Sequence, residues 1–176
     1  VSGVSDSHGN ETGVDLLPPD LIALAARVIS ENLAAGRKVA LAESCTGGLV
    51  CAVLTEIAGS SAVFDRGFVT YSNAAKHDLL GIPDDIIDTF GAVSIATAWA
   101  MARGALTRSE ADVAVAISGI AGPDGGSVLK PVGTVVFARC LRVNDTLDAE
   151  ELQLPGLSRS AVRHQAALIA LELLLP

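Results

Sequence analysis

Apolar positions Leu21, Leu24, Ala25, Val28 and Ile29 fall on one face at helical spacing, opened by the Pro18-Pro19-Asp20 step and closed by Gly36. The pattern then changes. Residues 38–42 (KVALA) form a short apolar run, read as a buried strand, and lead directly into Glu43-Ser44-Cys45-Thr46-Gly47-Gly48. Residues 49–57 are apolar again and predict a helix ended by Gly59. A second strand is expected over 63–70. The Tyr71-Ser72-Asn73 step then opens a helix that ends near Gly81, and 83–90 reads as a short helix. Ser94 caps a helix running to about 109, and the uninterrupted run DVAVAI (112–117) suits a central strand. A glycine-rich loop (118–126) follows, then strands over 132–141 and 147–154 joined at Val143-Asn144-Asp145, and a last helix over 158–174.

The alternation predicts an α/β fold, a three-layer α/β/α sandwich. Its sheet of about five strands is expected to be mixed but mostly parallel, because the last two strands form a hairpin. Residues 1–17, led by a stretch rich in Ser, Gly, Asn and Asp without periodicity, are expected to be a disordered tail, and 18–176 one domain. There is no internal repeat and no dividing linker.

Composition sharpens this picture. Half the chain is hydrophobic but only 3% is aromatic. The core must therefore be Ala, Val, Leu and Ile, which suits close helix-on-sheet packing. The formal net charge of -8 and the absence of a basic stripe argue against nucleic acid as a partner. Acidity leaves room for a phosphate-bearing small molecule, which needs only local cations or a helix N-terminus. Cys45, Cys51 and Cys140 are odd in number and follow no metal or disulfide framework. They read as reduced thiols of a cytoplasmic protein. No apolar run is long enough to span a membrane, and no basic leader precedes an apolar segment.

Four segments carry candidate chemistry. In the hexapeptide around Ser44, a serine at a strand-to-helix turn is lifted out of the sheet beside converging N–H groups, and two glycines permit close approach of a ligand. The same pattern also serves as an N-cap serine with turn glycines. Lys76, in the early turns of its helix, can point back to the strand ends and act as a base once its pKa is lowered; it reads equally as a solvated lysine. Ser118 and Gly119 open the four-glycine loop, a candidate ligand cradle or a long connection needing turns. Arg159 and Arg163 share a helix face and suit a phosphate or carboxylate, or simply solvent. Cys45 is a rival nucleophile to Ser44, although no histidine is placed to activate it. His8, His77 and His164 are isolated, so no metal site is expected.

Together these segments carry a resemblance. Ala42-Glu-Ser-Cys-Thr-Gly-Gly48, Gly67-Phe-Val-Thr-Tyr-Ser-Asn73 with Lys76, Gly91-Ala-Val-Ser94, Ser118-Gly-Ile-Ala-Gly-Pro-Asp-Gly-Gly126 and Lys130-Pro-Val-Gly-Thr134 closely resemble the CinA C-terminal domain family. The resemblance covers the chain from about Leu21 onward. It implies hydrolytic deamidation of nicotinamide mononucleotide to nicotinate mononucleotide and ammonia, by a Ser/Lys dyad of Ser44 and Lys76 through an acyl-enzyme. Tyr71, Ser118 and Arg159 take further site roles in the resemblance. Cys45, Thr46, Gly47 and Gly48, which follow the nucleophile, and Gly119, Arg159 and Arg163 are the expected substrate contacts. No cofactor or metal is expected, and the partners are a small-molecule nucleotide and further copies of the chain, as a homodimer or larger homo-oligomer. Relatives commonly read Gly-Asp-Arg before the last helix, whereas this chain reads Gly156-Leu157-Ser158-Arg159. The alternative is a non-catalytic nucleotide- or protein-binding module, in a family linked by name to competence and DNA damage.

Overall fold

A computed structural model describes residues 16–143, 147–154 and 158–176 of the 176-residue chain. The expected tail up to residue 15, the turn at Asn144-Asp145, and Gly156 and Leu157 lie outside the described residues.

The chain runs α1 (Pro19–Ala34), β1 (Val39–Glu43), α2 (Leu49–Glu56), a 3-10 turn (Ser60–Ala62), β2 (Phe64–Val69), α3 (Asn73–Leu80), α4 (Asp84–Phe90), α5 (Ile95–Thr107), β3 (Val113–Gly119), β4 (Thr134–Leu141), β5 (Leu147–Gln153) and α6 (Arg159–Leu173). Ser72, Ser94 and Ser158 cap α3, α5 and α6, their side chains accepting from the N–H of Ala75, Thr97 and Ala161. β4 begins two residues later than the apolar pattern predicts. Gly133 turns at φ 94, and the Thr134 N–H closes back on the Pro131 carbonyl.

The five strands lie in the order β2-β1-β3-β4-β5. β1 pairs in parallel with β2 and β3, whereas β4 is antiparallel to both β3 and β5. Four strands thus share one direction and only β4 reverses, which is the mixed sheet expected from the sequence.

Strand alternation sorts the core into two layers. On one face Val39, Leu41, Val113, Val115, Ile117, Val135 and Phe137 pack with Val28 of α1, Val53 of α2 and Ala170 of α6. On the other, Ala40, Ala42, Ala114, Ala116, Val136 and Ala138 meet Ala98, Met101, Ala102 and Ala105 of α5. The alanine-lined face lets α5 seat close to the sheet. Gly104 brings α5 against α3, since a Cβ there would stand 2.5 Å from the Leu80 carbonyl oxygen. Lys76, on α3, is thereby fixed relative to the sheet.

From β1 the chain passes through α2 to β2 on one side, then through α3, α4 and α5 to β3 on the other. The connections diverge at the carboxyl end of β1. Open α/β sheets bind ligands in the crevice at such a switch point, and Ser44 is the first residue beyond β1.

Candidate active site

Ser44 leaves the end of β1 with its N–H still bonded to the Ile117 carbonyl of β3 at 2.9 Å, so the sheet itself sets the height of this serine. Across the crevice, α3 sends Lys76 inward. The lysine is 1% exposed, and its Nζ lies 3.2 Å from Ser44 Oγ and 3.0 Å from the Thr70 carbonyl oxygen. Thr70 is held in turn by β1, its N–H donating to the Glu43 carbonyl at 2.8 Å. Among the described residues no carboxylate pairs with the Lys76 amine. Burial pushes its pKa below the usual lysine value, with Cys45 opposing the shift. Lys76 Nζ donates to both Thr70 and Ser44 Oγ; an amine so placed that gives up a proton can instead accept from the Ser44 hydroxyl.

The two residues open onto a cavity of about 290 Å³. Of the expected site residues, Cys45, Tyr71, Ser118, Gly119 and Arg159 line it with Ser44 and Lys76. Burial raises the Cys45 thiol to about 11, which removes the thiolate a competing nucleophile would need. Ser118 donates its hydroxyl hydrogen to the Ala92 carbonyl at 2.7 Å, so toward the cavity its oxygen is an acceptor. Gly119 is required by crowding: a Cβ would stand 2.8 Å from Val135 Cγ2 and 2.9 Å from the Thr134 oxygen. Arg159 sits just after the Ser158 cap of α6. It donates to the Gly122 carbonyl at 2.7 Å and to the Tyr71 hydroxyl at 2.9 Å. Because Tyr71 accepts from Arg159, its own O–H is left to donate.

Thr46, Gly47, Gly48 and Arg163, the other expected substrate contacts, are not among the residues that line this cavity. Thr46 is fully buried. The Gly47 N–H closes on the Ser44 carbonyl at 3.1 Å, and the Gly48 N–H is taken by the Glu43 carboxylate at 2.9 Å. Arg163 donates to the Thr46 carbonyl at 2.7 Å, tying α6 to the turn that follows Ser44. The rule that arginines four apart share a face holds, but the two guanidinium groups reach different partners.

Sequence reasoning assigned no role to four residues that shape the site. Glu43 is wholly buried beneath the turn. Ala92 and Val93 line the cavity. Lys130 donates its ammonium to the Val93 carbonyl and, at 3.5 Å, to that of Phe90, pinning the glycine-rich loop to the α4–α5 connection. The Gly91-Ala-Val-Ser94 and Lys130-Pro-Val-Gly-Thr134 motifs were visible in the sequence, but their contact across 37 residues was not. Among the described residues no cluster of His, Cys, Asp or Glu is arranged to hold a metal ion.

Fold and site together define a class: an α/β protein that presents a serine beside a buried lysine at the switch point of its sheet. The chain belongs to the CinA C-terminal domain family, whose sequence model matches residues 21–176. Nicotinamide-nucleotide amidohydrolase PncC of Enterobacter agglomerans is 55% identical over 139 residues, covering 79% of this chain and 84% of that protein. A putative competence-damage inducible protein of Symbiobacterium thermophilum is 52% identical over 154 residues, which are 84% of this chain but 35% of that longer protein. The crystal structure of the competence/damage inducible protein CihA from Agrobacterium tumefaciens superposes with a TM-score of 0.86 at 51% identity, covering 90% of this chain and 96% of that one.

Proposed function

We propose that this protein hydrolyses the carboxamide of nicotinamide mononucleotide, giving nicotinate mononucleotide and ammonia, with Ser44 as nucleophile and Lys76 as general base. The observation that carries the reading is the buried Lys76 amine 3.2 Å from Ser44 Oγ. The substrate is the one named for the amidohydrolase of Enterobacter agglomerans.

Lys76 takes the Ser44 proton as Oγ bonds to the carboxamide carbon and the carbonyl electrons move onto oxygen. The C–N bond then breaks, and Lys76 gives the proton to the departing nitrogen, which leaves as ammonia. In the second half, water attacks the ester carbon and gives a proton to Lys76, and Lys76 returns it to Ser44 Oγ as the C–Oγ bond breaks. The Cys45 N–H, on the cavity wall and without a protein oxygen as acceptor among the described residues, is the oxyanion donor of the turn. Such a donor contributes about 3–4 kcal/mol to the transition state. Ser118, an acceptor toward the cavity, suits the amide NH₂, and Arg159 with Tyr71 suits the phosphate.

The reading places the enzyme in the cytoplasm, supported by three free thiols. It is a homo-oligomer, supported by apolar surface at Phe90, Val128 and Leu129. No helix among the described residues is long and apolar enough to cross a membrane.

Incubation with nicotinamide mononucleotide is expected to release ammonia and nicotinate mononucleotide in equal amounts. No product from the wild-type chain, with binding of the nucleotide intact, would favour the non-catalytic module instead.

A further inference from the structure

The mechanism above leaves a buried carboxylate unused. Glu43 is 0% exposed, it precedes the nucleophile directly, and no cation pairs with it among the described residues. Its carboxylate instead accepts three backbone N–H groups at the start of α2: Gly48 at 2.9 Å and Val50 at 3.3 Å on Oε2, and Cys51 at 2.8 Å on Oε1. These are the donors that a helix N-terminus ordinarily leaves open.

The N–H of Ser44 donates to Ile117, that of Gly47 to the Ser44 carbonyl and that of Leu49 to the Thr46 carbonyl at 3.3 Å. Glu43 takes Gly48, Val50 and Cys51. Thr46 is fully buried, and its N–H faces the Cys45 sulfur. Of the cavity-lining residues in this turn, Cys45 has an N–H with no protein oxygen as acceptor. The helix N-terminus behind the serine is therefore no anion site. It is closed by a side chain of the protein itself.

We propose that Glu43 is a positioning residue. By gripping the start of α2 from beneath, it sets the tight turn from Ser44 to Gly48 so that Ser44 Oγ meets Lys76 and the Cys45 N–H faces the oxygen of the reacting carboxamide. The inference rests on the reading of Ser44 as nucleophile. Glu43 acts through the turn, not through Lys76, whose amine faces Ser44 and Thr70. Geometry alone is at stake: an oxyanion donor displaced by about 1 Å loses most of its effect.

Glu43→Gln tests this. The amide keeps the volume but turns an NH₂ donor onto an N–H that needs an acceptor. Two readouts are compared on protein shown to be folded by circular dichroism. The first is the rate of covalent labelling of Ser44 by a fluorophosphonate, read by intact mass, which needs no assumption about the natural substrate. The second is the pH profile of ammonia release from nicotinamide mononucleotide. The proposal expects labelling and kcat to fall together by about tenfold or more, with KM and the pH midpoint unmoved. Unchanged labelling by a folded Glu43→Gln protein overturns it. So does a moved pH midpoint with an unchanged plateau, which would mean that Glu43 works by its charge on Lys76. If Glu43→Gln does not fold, Glu43→Asp, which keeps the charge but draws the oxygens back from the turn, is read the same way. A wild type that labels at Ser44 yet releases no ammonia sinks the substrate reading alone, and the labelling ratio still decides the role of Glu43.

Discussion

Arg159 donates to the hydroxyl of Tyr71 across 2.9 Å, joining the first turn of α6 to the loop that opens α3. The same guanidinium holds the Gly122 carbonyl at 2.7 Å, so one side chain ties three walls of the cavity together. A planar fork makes both contacts at once, which a lysine ammonium on its flexible stem does not reproduce. Arg159→Lys and Arg159→Ala are expected to raise KM for nicotinamide mononucleotide by about 10- to 100-fold, the weight of one to two charge-assisted contacts. KM for the phosphate-free nucleoside should change little. Steady-state kinetics with both amides reads this directly. Equal losses on both substrates would place the arginine at the reacting end.

Lys76 must be neutral to take the serine proton, and burial lowers its pKa. The rate is therefore expected to rise with pH through that lowered value and to reach its plateau below the range of an ordinary lysine, near 10.4. Stability carries the opposite sign. Between the lowered folded pKa and the unfolded one, the unfolded chain binds the extra proton, so burying this amine costs stability at neutral pH and the cost shrinks as pH approaches the unfolded value. Lys76→Met should then raise Tm at pH 7 by about 2–4 °C, the shift that about 1 kcal/mol gives in a domain of this size. The gain should fade by pH 10. Paired melts of both proteins across pH give the comparison.

Cys45 touches the cavity beside Ser44 and is its rival as nucleophile. Burial raises its thiol to about 11, so the thiolate is scarce at pH 7. Cys45→Ala should keep turnover within about threefold, because its N–H survives the substitution. A loss of a hundredfold or more would hand the chemistry to sulfur. The ammonia assay distinguishes the two.

Gly119 ends β3 where β4 passes close by. A methyl group there would press on Val135, the Thr134 carbonyl oxygen and the Cys45 sulfur, at 2.8, 2.9 and 3.1 Å. Gly119→Ala is expected to cost about 1–3 kcal/mol, typical of overpacking, and to lower kcat by shifting the cavity wall. Urea denaturation measures the first effect and steady-state kinetics the second.

Much of this was legible in the sequence because local rules wrote it. Ser72, Ser94 and Ser158 cap the helices whose starts they mark, and the DVAVAI run became a strand buried on both faces. Ser44 and Lys76 lay in recognisable turns, and the structure brings them together. What escaped depends on distance along the chain. Arg163 reaches the Thr46 carbonyl across 117 residues, and Lys130 reaches Val93 across 37. Spacing on a single helix says nothing about such partners. Glu43 was missed for a different reason: a carboxylate beside a serine reads as a charged neighbour until the N–H groups of the following helix are accounted for one by one.

The central claim is that serine and lysine act as one unit. The most direct measurement is kcat for ammonia release from nicotinamide mononucleotide by wild type, Ser44→Ala, Lys76→Ala and the double variant. Each single substitution should lower kcat by at least about a hundredfold, and the double variant should be scarcely worse than either. Near-normal turnover by Ser44→Ala, or losses that simply multiply in the double variant, would contradict the account.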